Sequence, residues 1–428
     1  MFFNALTLLC VSTLPVAQQT FHADNARSGV FNSPSMRSLE GVKWRFKTDG
    51  PILGSPALSK GVFFFGSLDT FLYAVDETTG LQKWKFETKG GIASTPAVSN
   101  GTVYFDNWDG FLYAVDEVTG KLKWKFAMAY ERKFQAKHLH GQEPKEQTIP
   151  DVWDFFTSSP AVANGKVYFG SGDRNIYAVD ADSGKLSWKF ATSEVVHGSP
   201  AVVVNVVYIG GFDSRLYALD SDSGKKKWVF QAGLDPVRHN QVGFQASPCV
   251  VDGMVYIGCR DAHIYAIDAT SGAKKWGYST GTAWASNTPA VMNGTVLGGA
   301  RQFYCLDANS GELQHSIDVK SGLFSSVALT NDTAYFGGLN GRLYAFDIPS
   351  GKVLWNFSTD AAKADPLKVL DANGQWDQKA FNSVFATFED DYVVMFKRFS
   401  VGSIIASPVV DQGCIYFGSA DGTFYALK

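Results

Sequence analysis

Residues 113–124 read Tyr113-Ala114-Val115-Asp116-Glu117-Val118-Thr119-Gly120-Lys121-Leu122-Lys123-Trp124. A strand-forming apolar run meets a turn carrying Asp and Gly, and a second strand alternating Lys with aromatic residues follows. The template Tyr-x2-Asp-x3-Gly-x3-Trp recurs along most of the chain. Its other copies are Tyr73, Asp76, Gly80, Trp84; Tyr177, Asp180, Gly184, Trp188; Tyr217, Asp220, Gly224, Trp228; Tyr265, Asp268, Gly272, Trp276; and Tyr344, Asp347, Gly351, Trp355. A degenerate seventh copy holds Tyr304, Asp307 and Gly311, with His315 in place of Trp. Fixed self-similarity of this length is the signature of a repeat architecture.

Upstream of each copy stands a second element, a Ser/Thr-Pro step followed by an apolar strand, a turn and another strand. The steps are Ser55-Pro56, Thr95-Pro96, Ser159-Pro160, Ser199-Pro200, Ser247-Pro248, Thr288-Pro289 and Ser407-Pro408, with Ser326-Val327 as the departure. This element therefore occurs eight times. Asn100-Gly101, Asn164-Gly165, Asp252-Gly253 and Asn293-Gly294 supply the positive φ angles of tight hairpins. A four-stranded meander of this length is a propeller blade. The eighth copy ends before its Trp strand, whereas Val42-Lys43-Trp44-Arg45-Phe46 matches such a strand with no blade before it. The predicted fold is all-β, an eight-bladed propeller over residues 41–428 closed by the N-terminal strand. Closure removes most exposed sheet edges. Trp44, Trp84, Trp124, Trp188, Trp228, Trp276 and Trp355 are expected to fill the wedges between neighbouring blades.

Thirty-eight Lys and Arg against 41 Asp and Glu give a net charge of -3, so no excess of positive charge points to nucleic acid or an anionic membrane. Residues 1–17 are uncharged and end in a small-residue step at Ala17, which reads as a secretory signal; residues 18–40 form an N-terminal extension. The expected compartment is periplasmic or extracellular. No later apolar run reaches the roughly 20 residues needed to span a bilayer, and the ring is expected to act as a monomer. Cys249, Cys259, Cys305 and Cys414 lie in apolar strands. A hairpin at Asp252-Gly253 pairs Cys249 with Tyr256, leaving Cys259 out of register for a disulfide.

The run from Ala114 to Trp124 resembles the tryptophan-docking motif of pyrroloquinoline quinone (PQQ) propellers. That resemblance implies eight blades and two functional branches. One is the quinoprotein dehydrogenases, which hold PQQ and calcium over the propeller axis. The other is the outer-membrane β-barrel assembly propeller, a non-catalytic scaffold. Asp151-Val152-Trp153-Asp154-Phe155 is similar to a segment preceding a blade in the quinoprotein alcohol dehydrogenases. That branch would oxidise alcohols or sugars with PQQ and calcium. Against it, no two cysteines are adjacent and no calcium-ligand trio can be assigned, so no catalytic residue, metal site or cofactor is assigned. The chain also lacks the lipid-attachment cysteine of the assembly lipoprotein.

Successive Ser/Thr steps are 40, 64, 40, 48, 41, 38 and 81 residues apart, so the excess length falls at 127–157, 231–246 and 356–405. Each of these crossings joins an outer strand to the next inner strand, so all emerge on one face. The expected binding face carries His138, His140, Asp151, Trp153, Asp154, His197, Arg238, His239, Asn240, Trp284, Trp376 and Arg398. Such a mixture suits a small polar ligand or an envelope or secreted protein partner. The reading from sequence is thus an exported binding or scaffold propeller, with a quinoprotein dehydrogenase as the alternative. Zinc-helix, phosphate-loop and nucleophile-elbow motifs are missing from the sequence.

Overall fold

The computed structural model describes residues 20–234, 243–381 and 387–428. The expected signal at 1–17 lies outside them. Eight four-stranded antiparallel sheets form the blades of a propeller, seven of them running in chain order from an inner to an outer strand. Seven are continuous in sequence, at 57–87, 97–127, 161–191, 201–231, 249–279, 290–318 and 328–358. The eighth takes three strands from 409–427 and its outer strand, Val42–Lys47, from the other end of the chain. Trp44 stands opposite Ala426 and Phe46 opposite Phe424 in this antiparallel seam. Cys249 pairs with Tyr256, and the four cysteines of the described residues are free thiols.

The repeat motif is explained strand by strand. Asp76 accepts from the backbone N–H of Thr78 and Thr79 and from the Thr79 hydroxyl, at 2.9–3.1 Å. These bonds hold its carboxyl below the usual range. Gly80 follows at φ +69°, and a Cβ there would lie 2.6 Å from the Trp44 indole of the preceding blade. The same indole donates Nε1–H to the Glu77 carbonyl at 2.9 Å. Trp84, Trp124, Trp188, Trp228 and Trp276 repeat both contacts on the next blade. His315 occupies the same slot, with its ring over Gly351. Trp355 has no such turn ahead of it, because the eighth blade borrows its outer strand; its Nε1–H goes instead to the Met36 carbonyl at 3.0 Å.

At the axis, the Ser/Thr steps close a ring of hydrogen bonds. The N–H of Ser55 donates to the Thr95 hydroxyl, Thr95 to Ser159, Ser159 to Ser199, and Ser199 to Ser247. Ser247 donates to Thr288, Thr288 to Ser326, Ser326 to Ser407, and Ser407 back to Ser55. All eight distances fall between 2.7 and 3.1 Å. Ser326 lacks the following proline yet keeps its place, so the hydroxyl is what the geometry requires. Each bond satisfies a buried donor that no strand partner reaches.

Residues 20–36 close one end of the axis. Val202, Val250, Val291 and Leu329 of the inner strands donate to the carbonyls of Asn25, Ala26, Ser28 and Gly29 at 2.7–3.1 Å. The fully buried Arg27 donates to the Pro200 and Pro160 carbonyls at 3.0 and 3.3 Å. The inner edges of these blades are thereby paired rather than left open. The opposite end belongs to the crossings.

Candidate functional site

In an antiparallel meander the fourth strand ends where the first begins, so every crossing shares one face with the turns between second and third strands. The first crossing carries a two-stranded ribbon, Gln135–Lys137 against Thr148–Pro150. The third carries helix α1 (Asp360–Ala364) and helix α2 (Phe388–Ser400). Thr387 caps α2 in a capping box with Asp390. These crossings meet over the axis. Gln142 donates to Asp391, Phe155 packs edge-on to Phe399 at 6.1 Å, and the Arg398 guanidinium lies 5.1 Å from Trp153 and 5.7 Å from Trp376.

Two buried ionic latches fasten the first crossing. In one, His197 is held between carboxylates, Nδ1 at 2.7 Å from Asp154 and Nε2 at 2.9 Å from Glu131. Asp154 also accepts from the Phe134 N–H at 2.6 Å, and Glu131 from the Gly172 N–H at 3.0 Å. Burial alone would lower the imidazole pKa, but the two carboxylates outweigh it and raise it to about 10. His197 is therefore an imidazolium at neutral pH, a fixed charge rather than a proton shuttle. Beside it Asp106 is raised well above the ordinary carboxyl value, first by burial and then by Glu131.

The second latch is Arg260, whose side chain is entirely buried. It pairs with the equally buried Asp151 and donates to Gln245 Oε1 through Nε and Nη2 at 3.2 and 2.8 Å. Its guanidinium sits 4.8 Å from the Phe212 ring and 4.5 Å from Trp284. Gln245 in turn donates to the Trp153 carbonyl at 2.7 Å, so the described end of the second crossing joins the same assembly.

The structure thus places Asp151, Trp153, Asp154 and His197 inside the lid, bonded to one another's neighbours, rather than on an exposed rim. Trp284, Trp376 and Arg398 flank them, partly buried. His138 stands apart at the ribbon tip in a left-handed conformation, with Nδ1 2.9 Å from the Gln142 carbonyl. Arg238, His239 and Asn240, and the side chain of His140, lie outside the described residues. Sequence reasoning passed over Arg260, Glu131, Asp106, Gln245 and Trp108. A signal for two of them exists in the repeat: the residue ahead of each turn Asp or Asn is Leu68, Trp108, Gly172, Phe212, Arg260, Leu339 or Ala420, a column of changing chemistry on the crossing face.

A quinone over the axis would need space that side chains occupy. Trp153 and Phe324 stack at 6.0 Å, and Phe155 contacts both Phe156 and Phe324. Below them the axial cavity, closed by Phe21 at one end and by Phe156 and Phe324 at the other, measures about 40 Å³. Cofactor pockets start near ~300 Å³. Among the described residues no three His, Cys, Asp or Glu side chains are grouped to hold a metal ion. The described residues over the axis leave no room for PQQ with calcium. No helix of the described residues is long and apolar enough to cross a membrane.

The sequence profile of the family described as outer membrane protein assembly factor BamB matches residues 40–143, 142–296 and 260–373. No curated protein matches the sequence. Among solved structures, BamB from Moraxella catarrhalis superposes with a TM-score of 0.65 at 16% identity, covering 91% of this chain and 98% of its own. Quinohemoprotein alcohol dehydrogenase from Comamonas testosteroni gives 0.68 at 14% identity, covering 96% and 80%. A europium-containing methanol dehydrogenase gives 0.66 at 14%, covering 97% and 98%. At these identities the likeness is one of fold, shared by a scaffold and by enzymes.

Proposed function

Because the chain belongs to the PQQ-like propeller family whose profile carries the BamB description, we propose that it is an exported, non-catalytic scaffold that docks a partner protein on its crossing face. The observation that carries this reading is the filled axis: the crossings' own aromatic side chains take the place that a quinone would need. What the lid offers instead is its outer surface. There Tyr130, Val393 and Phe396 expose large apolar groups on the first crossing and on α2. Exposed aromatic groups on a rigid support are the usual anchors of a docking surface. By analogy with the assembly factor, the partner is a protein of the cell envelope.

Two measurements test this. Val393→Glu with Phe396→Glu leaves the lid interior intact and should abolish capture of the partner from an envelope extract while thermal unfolding is unchanged. Addition of PQQ and calcium to the purified chain should leave no quinone absorbance after gel filtration. Stoichiometric retained quinone together with dye reduction by an alcohol or sugar would replace the scaffold reading with the dehydrogenase one. Export is checked by N-terminal sequencing of the mature chain, expected to begin near Gln18.

A further inference from the structure

The ring closes without a covalent bond, where the strand Val42–Lys47 lies along Thr423–Leu427. One residue of the first blade touches both halves of that composite blade. The Glu77 carbonyl accepts from the Trp44 indole on the N-terminal strand at 2.9 Å, and its carboxyl accepts from the Tyr416 hydroxyl at 3.3 Å. Glu77 is buried, and its carboxyl stands within hydrogen-bonding reach of that of Asp411. Glu117, at the same place in the second blade's turn, has different company. It accepts from the Ser59 hydroxyl at 2.7 Å and pairs with Lys60 at 2.9 Å. Counted from the Ser/Thr steps, Asp411 stands where Ser59 does and Gln412 where Lys60 does. At the closing blade an acid therefore meets an acid, where the next junction has a hydroxyl and an ammonium.

Two adjoining carboxyls shielded from water do not both ionise at the same pH; one keeps a proton and donates it to the other. Burial first, then Asp411, raise the Glu77 carboxyl to about 7. Lys43, its ammonium 6.0 Å from the Tyr416 ring, opposes this more weakly, and Cys414 faces Asp411 across its hairpin. The first blade's own nearby cations, Lys60 and Lys83, pair with Glu117 and Asp76. We propose that the Glu77–Asp411 pair is a proton-operated clasp on the ring: sharing one proton it ties the first blade to the C-terminal strands of the eighth, and fully ionised it loosens the junction at which the propeller closes. The clasp is independent of any docking partner. A folded value of about 7 against an ordinary 4.5 makes it fully effective below pH 4.5 and lost as pH rises through 7.

The test is hydrogen exchange of the full chain from about pH 5 to 8, read by mass spectrometry and corrected for the intrinsic pH dependence of exchange. Opening of residues 42–47 and 423–427 should increase by roughly one to two orders of magnitude over that range, as one proton is released, while the sixth blade at 290–318 stays constant. Glu77→Gln, whose amide donates to Asp411 at any pH, and Asp411→Ser, which copies Ser59, should each flatten the profile. Glu117→Gln should keep its slope. Infrared spectra give a readout that does not depend on seam stability: at about pH 6, Glu77→Gln should show one protonated carboxyl fewer than the wild type. A wild-type seam whose opening is constant across the range, an equal change in the sixth blade, a slope unaltered in both clasp variants, or an unchanged infrared band overturns the proposal.

Discussion

Replacing Arg260 by Met removes a fully buried guanidinium and leaves a side chain of similar reach between Phe212 and Trp284. What is lost is the countercharge of Asp151, whose carboxylate stays buried at the foot of the first crossing, together with two hydrogen bonds to Gln245. Removing one member of a buried ion pair costs about 3–5 kcal/mol, whereas replacing both by apolar groups is near neutral. Global stability of a domain is only ~5–15 kcal/mol, so the loss is a large fraction of the total. It falls on one segment, because Arg260 and Asp151 tie the crossing to the fifth blade and not the blades to each other. The expected outcome is local: opening of residues 127–157 increases by roughly two to three and a half orders of magnitude, since each 1.4 kcal/mol is tenfold. Trypsin should then cut first at Lys133, Lys137 and Lys145, while the blade core resists. Urea unfolding followed by tryptophan fluorescence should give a less cooperative transition. Pairing R260M with Asp151→Leu should restore both the midpoint and the resistance. A coupling energy below about 0.5 kcal/mol in this double-mutant cycle, or an unchanged digestion pattern in the single variant, would refute the latch.

The imidazolium latch makes its own pH signature. A folded-state pKa of about 10 against an ordinary 6.5 means that His197 contributes stability fully below pH 6.5 and loses it as pH rises through 10. His197→Gln should therefore lower the unfolding free energy by about 3–5 kcal/mol at neutral pH and flatten the decline between pH 7 and 10, read by urea titration across that range. Trp188→Phe keeps an aromatic ring in the wedge but deletes the Nε1–H bond to the Ser221 carbonyl at 2.9 Å; the Tyr168 hydroxyl still donates to that carbonyl at 3.2 Å, so the lost bond should cost only ~0.5–1.5 kcal/mol by urea titration. Gly224→Ala, at φ +69° with a Cβ only 2.6 Å from the Trp188 ring, should cost more than ~1 kcal/mol by thermal unfolding. Cys249 and Cys259 are buried with thiol pKa values pushed well above normal, and Cys305 is raised to about 12; a native thiol assay of a chain beginning at residue 18 should titrate Cys414 alone and gain the rest in urea.

The blade count, the closing strand and the turn chemistry were all legible in the sequence, because each is written in residues adjacent along the chain. Asp76, Gly80 and Trp84 act within one hairpin or on the next blade at a constant offset, and repetition makes the offset visible. The Ser/Thr steps were visible as a pattern, but not as a ring, since a hydroxyl's acceptor role depends on a neighbour 38 to 81 residues away, and 352 residues away for the bond that closes the ring. Only the folded ring shows why Ser326 persists where its proline does not.

The crossings lie beyond that reach. Their composition revealed polar and aromatic groups, and the number of strands placed them on one face, yet nothing local distinguishes a solvated histidine from one clasped by two acids. Asp151 meets Arg260 across 109 residues and Gln142 meets Asp391 across 249, pairings that no periodicity records. Residues 20–36 likewise read as an extension and fold as a plug, because their partners are inner-strand backbone groups that become available only when the ring has closed. Local hydrogen-bonding and alternation determined the blades from sequence alone. Desolvation decided the rest: which charges are buried together, and which face of the lid is left to solvent, follows from packing in three dimensions.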